Sequence, residues 1–465
     1  MVLSNLPRDV LLIIGRLMPP SDLVAMSLVS RILRDLAQPL LYSSIHITWA
    51  PNRHPPITQL LRSFIERPIL AHCVQNLRLD GSGFVSRNGR ITELDVFLDA
   101  VALITDKLHV SNMFTGVPSD TARAWDDAIQ KGNIDAVVAL LVSLLPNLRR
   151  LHLSELWTWE CKFLGKLLET SLSNRCGKKT QGHGQKNGTP RLPTFDSLHH
   201  VTLSPRLDPG GHPDQDDTKA ALALFYLPSI QDLSVSLDSP SDLSWPLQPR
   251  PNPLALTSLK IHTLHERHLG SVLSVLQNLK KLRYNWSCQQ GVDKRDSNKV
   301  VGLDAMATAI ARCQKLEALE ITAACNPAVS HVGHEPPSLQ LQGSLEHLSK
   351  LHKLKRMEVP WVFIMGMEES STPDAGRRIS SILPPNTERL LVTGHLGSSD
   401  EYEWDETSII ESFAVALASG LKAKIRGLTN VCLPYPVYQS GLSPDCQAKL
   451  AGLHAKYKVK FTNQS

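Results

Sequence analysis

Residues 147–156 read NLRRLHLSEL, and residues 256–264 read LTSLKIHTL. Apolar side chains fall in one order in both: Leu148, Leu151, Leu153 and Leu156 in the first, Leu256, Leu259, Ile261 and Leu264 in the second. The phrase is apolar-x-x-apolar-x-apolar, and its last piece has the period of two that turns alternate side chains of a strand to one face. It returns at Val74-x-x-Leu77-x-Leu79, Leu198-x-x-Val201-x-Leu203, Ile230-x-x-Leu233-x-Val235 and Leu279-x-x-Leu282-x-Tyr284. Further copies stand at Leu316-x-x-Leu319-x-Ile321, Leu354-x-x-Met357-x-Val359 and Leu428-x-x-Val431-x-Leu433. Leu390-x-Val392 is a weaker copy, and Tyr42-x-x-Ile45-x-Ile47 opens the series.

From the copy at 148 to the copy at 354 the starting points are 50, 32, 26, 23, 37 and 38 residues apart. Between copies lie stretches of helical period, at 135–145, 162–172, 218–227, 269–276, 303–311 and 408–418. Strand, loop, helix and loop at such spacings predict a right-handed coil with a parallel sheet on its concave side. Unrelated βα units in a doubly wound domain are the rival, but some ten copies of one phrase favour the coil. Insertions near 174–195, 204–217 and 238–254 are rich in Gly, Lys, Pro or Asp and read as surface loops.

Upstream of the repeats the pattern changes. Val10, Leu11, Ile14, Leu17 and Met18 recur at helical spacing, with Pro7 at the start and Asp9 in the first turn, so 6–18 predicts a short helix. Pro19-Pro20 stops it, and Ser21 is placed to cap a second helix carrying Leu23, Val24, Leu28 and Val29. A third stretch runs through Ile32, Leu33 and Leu36 and ends near Pro39. Three short helices bury little alone and need a partner or a neighbouring domain over their apolar side.

The run Leu6-Pro7-x-Asp9-Val10-Leu11-x-x-Ile14-x-x-Leu17, then Pro20-x-Asp22-Leu23, then Ser27-Leu28-Val29-Ser30-Arg31, resembles an F-box over residues 4–43. Ser30 replaces the usual Cys of that family, and Leu33 stands where Trp is common. The repeats resemble the leucine-rich-repeat family in the long, irregular form that often accompanies an F-box. The Asn that usually follows the strand is missing: Leu156 and Arg206 occupy its place. The expected fold is therefore α/β: a three-helix F-box over 1–43, then an irregular leucine-rich-repeat solenoid over 44–465 with its parallel sheet concave. The resemblance implies that Leu6, Pro7, Ile14, Leu17, Leu23, Val29 and Leu33 contact a Skp-family adaptor of a cullin-RING ligase. By their chemistry these are apolar anchors rather than a catalytic set. It implies a non-catalytic substrate adaptor of an SCF-type ubiquitin ligase, without cofactor, whose repeats hold an unidentified protein. A helical cap on the coil, and with it a non-degradative scaffold, is the alternative.

The bulk figures agree with such a chain. Of 465 residues 42% are apolar and 20% charged, with 49 Lys and Arg against 44 Asp and Glu. A formal charge of +5 spread over this length gives no reason to expect nucleic-acid binding. The eight cysteines form no CxxC pair, so neither a zinc ribbon nor a redox motif is indicated. No apolar run approaches the ~20 residues of a membrane span, and Pro7, Arg8 and Asp9 interrupt any signal-peptide pattern. An intracellular protein, cytoplasmic, nuclear or both, is expected.

Enzyme motifs are lacking. Gly81-Ser82-Gly83 has no third glycine or lysine in register, and no G-x-S-x-G elbow occurs. His265 and His268 are three apart where H-E-x-x-H needs four, and His331 and His334 repeat that spacing in a Pro/Gly loop. Trp157, Trp159 and Trp286 follow repeat phrases, as rim packing or as binding anchors. The acidic run Asp400, Glu401, Glu403, Asp405 and Glu406 reads as a solvated loop. A concave sheet would display Arg78, Arg150, His152, Ser154, Thr202, Ser234, Lys260, His262, Arg283, Asn285, Glu320 and Glu358. Arg150, His152, Lys260, His262, Arg283 and Asn285 are the candidate substrate contacts, and their basic and polar character points to an acidic or phosphorylated target segment.

Overall fold

The computed structural model describes residues 6–49, 56–81, 117–158, 161–176, 192–204, 215–237, 243–289, 300–326, 339–367, 374–396, 404–434 and 442–463. The chain divides into two compact units. One comprises Met1–Leu207, Asp214–Val235 and Trp245–Pro251, and the other Asp208–Pro213, Ser236–Ser244 and Asn252–Ser465.

The first unit begins with three helices, α1 (Arg8–Leu17), α2 (Pro20–Val29) and α3 (Arg31–Ser43). Pro20, not a residue after Ser21, opens α2, because proline's fixed φ and missing N–H suit the first helical position. Ser30 is extended and caps α3, its Oγ accepting the Leu33 N–H at 3.2 Å. α3 passes through Pro39 to Ser43, beyond the end expected from sequence. Proline removes one ladder bond there, but Leu36 and Ala37 are buried just before it and Leu40 and Leu41 pack on the same cluster just after, which carries the helix past it. Leu11, Leu23, Met26, Leu33, Leu36 and Ala37 form the interior of the three helices. At Gly15 a Cβ would stand 2.7 Å from Leu40 Cδ1, so a larger residue there would push the Leu40 side chain aside.

β1 (Ser44–Thr48) follows α3 with no intervening residue. The Gln75 N–H donates to Ser43 O at 2.9 Å, and the Tyr42 and Phe64 rings lie 6.1 Å apart, so the end of α3 is fixed to the repeats behind it. β2 (Asn76–Asp80), β3 (Arg150–Leu153), β4 (His200–Leu203) and β5 (Asp232–Ser236) continue a parallel sheet in chain order. Register aligns Ile45, Leu77, Leu151, Val201 and Leu233 as one column, and Ile47, Leu79, Leu153 and Leu203 as a second.

In the second unit β6 (Ser258–His262), β7 (Lys281–Gln289), β9 (Ala318–Asn326), β11 (Arg356–Pro360), β12 (Arg389–Thr393), β13 (Asn430–Leu433) and β14 (Lys460–Asn463) form a parallel sheet in that order. β8 (Val300–Gly302) and β10 (Gln340–Gln342) make a separate parallel pair. Leu259, Leu282, Leu319, Met357, Leu390 and Val431 form a buried column in register. Every copy of the phrase named in the sequence is thus a strand, and β12 to β14 extend the parallel sheet to Asn463. Thr387, fully buried with its Oγ1 donating to Pro384 O at 2.9 Å, fills the first apolar position of the weak copy at Leu390.

Two side-chain devices join one repeat to the next. The first is an acid in the opening turn of a helix, where it favours the dipole of its own helix. The Asp135 carboxylate accepts the N–H groups of Phe163 and Leu164 at 2.5 and 3.2 Å, in the first turn of the helix Lys162–Cys176. Glu266 accepts from Gly302 N at 2.8 Å, Asp304 from Ser344 N at 2.9 Å, and Glu406 from Ser443 N at 3.3 Å. Gly302 and Ser443 immediately precede helices, so each acid satisfies a donor at or near the start of the next element, where helices leave N–H groups without internal partners.

The second device is an asparagine one place before the phrase. Asn147, Asn278 and Asn386 donate from Nδ2 to His72 O, Leu254 O and His352 O at 2.8, 2.7 and 2.6 Å. The asparagines missing after the strand are present before it.

Replacing Glu266 by Ala should destabilise the chain by about 1–3 kcal/mol, because the Gly302 N–H and the buried Trp286 Nε1–H lose their acceptor together. Asn278→Ala, on an exposed corner, should cost about 0.5–1.5 kcal/mol. Urea unfolding of both variants checks the ordering, and a Glu266→Ala cost no larger than that of Asn278→Ala would contradict it.

Candidate functional site

The N-terminal helices carry more apolar surface than their own core can use. Of the eight large apolar side chains exposed among the described residues, Ile13, Leu17, Val24, Leu28, Val29 and Ile32 lie on these helices, with Leu17 82% and Leu28 74% exposed. Of the contacts expected from sequence, Leu17 and Val29 are on this surface and Pro7 is exposed beside α1. Leu6 and Ile14 are half-buried. Leu23 and Leu33 are 6% and 4% exposed and belong to the interior, where they support the surface rather than form it. Ile13, Val24, Leu28 and Ile32 are on this surface without being among the expected contacts. The available cue was α2 itself, apolar on every side, which in a short surface helix means a second covered face.

On the exposed face of the first unit's sheet, His46, Arg78, His152, Thr202 and Ser234 align in register. Asp80 gathers the first three: His46 Nε2 lies at 2.6 Å, Arg78 Nε at 2.7 Å and His152 Nε2 at 3.3 Å from its carboxylate. Burial alone would raise the Asp80 carboxyl, but the hydrogen bonds from Arg78 and His46 outweigh it and hold it below the ordinary range. Burial and the Arg78 charge lower His152 despite Asp80 beside it. Arg150 is exposed two residues before His152 on the same strand. Ser154 is buried, its Oγ accepting the Gly81 N–H at 2.6 Å, and serves the backbone instead.

In the second unit Lys260, Arg283, Glu320 and Glu358 align on the same kind of face, followed by Leu391 and Cys432. Arg283 Nε is 2.7 Å from Glu320 Oε2, so the cation expected to meet an acidic target is already engaged within the sheet. Glu358 stands on the other side of Glu320, and among the described residues no cation lies within ion-pair distance of it. Burial first, then the Glu320 charge, raises its carboxyl to about 7 against the opposing pull of Arg283. His262 is lowered to about 4 by burial and by Lys260, and is neutral at physiological pH. Asn285 Oδ1 is shut off from solvent and has no donor.

The tryptophans that follow the phrases pack inward. Trp157 lies 5.4 Å from Trp49, and Trp286 donates from Nε1 to Glu266 at 3.0 Å. His265 caps its helix and Glu266 is the inter-repeat acid, which accounts for the His265–His268 motif. Asp405 caps the helix Glu406–Ala418 through the Ser408 N–H at 2.6 Å, so the end of the acidic run is structural. Trp159, His331, His334, Asp400, Glu401 and Glu403 lie outside the described residues. Among the described residues no three His, Cys, Asp or Glu side chains converge as a metal site, and no helix is long and apolar enough to cross a membrane.

Residues 3–48 match the family model described as F-box-like, which spans α1 to α3 and β1. No curated protein matches the sequence. Among solved structures an internalin from Listeria monocytogenes is similar at 12% identity over 86% of this chain and 82% of its own, with a TM-score of 0.28.

The raised carboxyl of Glu358 gives a pH test. A carboxyl that binds its proton more tightly in the folded chain lowers stability as pH climbs from about 4.5 to about 7. Glu358→Gln should therefore stabilise the protein at pH 8 by about 1 kcal/mol, after allowing for solvent screening, and leave it unchanged near pH 4. Thermal melts at both values decide, and equal shifts at the two would remove the ionisation account.

Proposed function

We propose that this chain is the substrate-recognition subunit of an SCF-type E3 ubiquitin ligase, binding a Skp-family adaptor, and through it a cullin-RING ligase, by its F-box-like helices. The observation that carries this reading is the coincidence of the family match at residues 3–48 with the exposed apolar patch on the same helices. Such a patch is costly in water and becomes useful only when a partner covers it. The repeats then hold a protein target on the exposed strand faces. The subunit forms and breaks no bond itself; it raises the local concentration of a target lysine near a ubiquitin-loaded enzyme. Its setting is the cytoplasm, the nucleus or both.

A repeat scaffold that does not engage the adaptor is the second reading, favoured by the departures Ser30 and Leu33, which here serve as helix cap and core side chain.

The full chain should co-elute with a Skp-family adaptor when the two are co-expressed. The double variant Leu17→Asp, Val29→Asp should weaken that complex by at least about thirtyfold, since both side chains are exposed anchors outside the core. Its circular dichroism and melting should stay close to wild type. A folded wild-type chain that elutes alone would favour the scaffold.

A further inference from the structure

The exposed face of the second unit's sheet has an order of charge that the pairing register sets. Along one row stand Lys260, Arg283, Glu320, Glu358 and then apolar Leu391, one side chain per strand. Neighbouring strands are about 4.8 Å apart, so each side chain touches the next and little beyond it. Arg283 and Glu320 satisfy one another at 2.7 Å. That leaves Glu358 half-buried against a like charge, with no cation within ion-pair distance among the described residues and only a partial offset from Arg283 one strand further on. The missing component at this point is positive.

A second atom on this face lacks a hydrogen-bond donor. Asn285 follows Arg283 by two residues on β7 and so shares its face, and it pairs in register with Thr322, two residues beyond Glu320. Its Oδ1 is buried and accepts no hydrogen bond. With β9 between β7 and β11, that oxygen stands two strands away from Glu358 and closed to solvent, so it is not part of the same point; at Glu358 itself an ammonium or guanidinium group would bring both the missing charge and N–H donors.

Resting on the reading of the repeats as target-binding, we propose that this face recognises a protein segment through a basic side chain, seated at Glu358 and Glu320. Lys260 and the engaged Arg283 repel a cation at the other end of the row, which fixes the side on which the basic group enters. Leu391 next to Glu358 favours an apolar residue beside it. The expectation of an acidic or phosphorylated target, drawn from Lys260 and Arg283 as unpaired cations, is thereby reversed for this unit: Arg283 is paired.

The test uses the full chain on an immobilised library of dodecapeptides with one fixed central residue, Arg, Lys, Gln, Glu or phosphoserine, and random flanks. Arg and Lys sets should be enriched over Gln, and the best peptide, labelled and titrated by fluorescence anisotropy, should bind about tenfold more weakly to Glu358→Gln, Glu320→Gln. Glu358→Lys should shift the selection toward Glu. Enrichment of Glu or phosphoserine by the wild type, no enrichment at all, or basic-peptide binding indifferent to the glutamine substitutions would overturn the proposal. Adaptor co-elution on the same preparation separates the two readings. Selection for Arg with no adaptor complex leaves this surface standing and removes the ligase role; an adaptor complex without that selection does the reverse.

Discussion

Everything in the strands of both units depends on register. A strand in a parallel coil buries its two inward side chains only if the next strand brings equivalent side chains to the same height, and a slip of one residue would turn every one of them to the other face. Leu282 against Leu259 on one side and Leu319 on the other is one link of that condition. The backbone bonds within the sheet do not choose among registers by themselves. The buried columns choose, and the corners add to that choice, where Asn278 and its equivalents tie one repeat to the carbonyl of the one before, and where Glu266 and its equivalents reach the start of the one after. Strand columns and corner bonds therefore reinforce one another, and each repeat depends on both neighbours.

The strands and most helices were legible because the phrase is a packing requirement written in apolar residues. Leu148, Leu151 and Leu153 must be apolar wherever the coil is built, and nothing local competes with them. The helix at Leu303–Ala311 has the predicted limits for the same reason. The errors fall where a short-range rule met a tertiary one. Pro39 should end a helix by its own chemistry, yet α3 is anchored on either side of it. Ser21 looks like a cap, but Pro20 already supplies the helix start.

The surfaces were harder to read than the core. Sequence period tells which side chains share a face of a helix, and α2 has apolar residues on both faces, so Leu23 and Leu28 could not be told apart before packing put one inside and left the other out. On the strand faces the limitation was pairing. Arg283 and Glu320 are 37 positions apart, and nothing in the chain's local pattern says that register makes them partners. Charge counted residue by residue pointed to one kind of target, whereas charge counted pair by pair leaves Glu358 as the group in need of a counterion. The inter-repeat acids were hidden similarly, since Asp135, Glu266, Asp304 and Glu406 look like ordinary first-turn residues until their distant acceptor role is seen.

The direct passage from Ser43 at the end of α3 to Ser44 at the start of β1 has a mechanical consequence. Two domains joined by a flexible tether explore many orientations, and a tether lets a cargo find the reactive partner by searching. A helix that becomes a strand without a hinge residue allows no such search within this unit. Whatever grips the helices also sets the attitude of the strands behind them, as a handle sets the attitude of a blade.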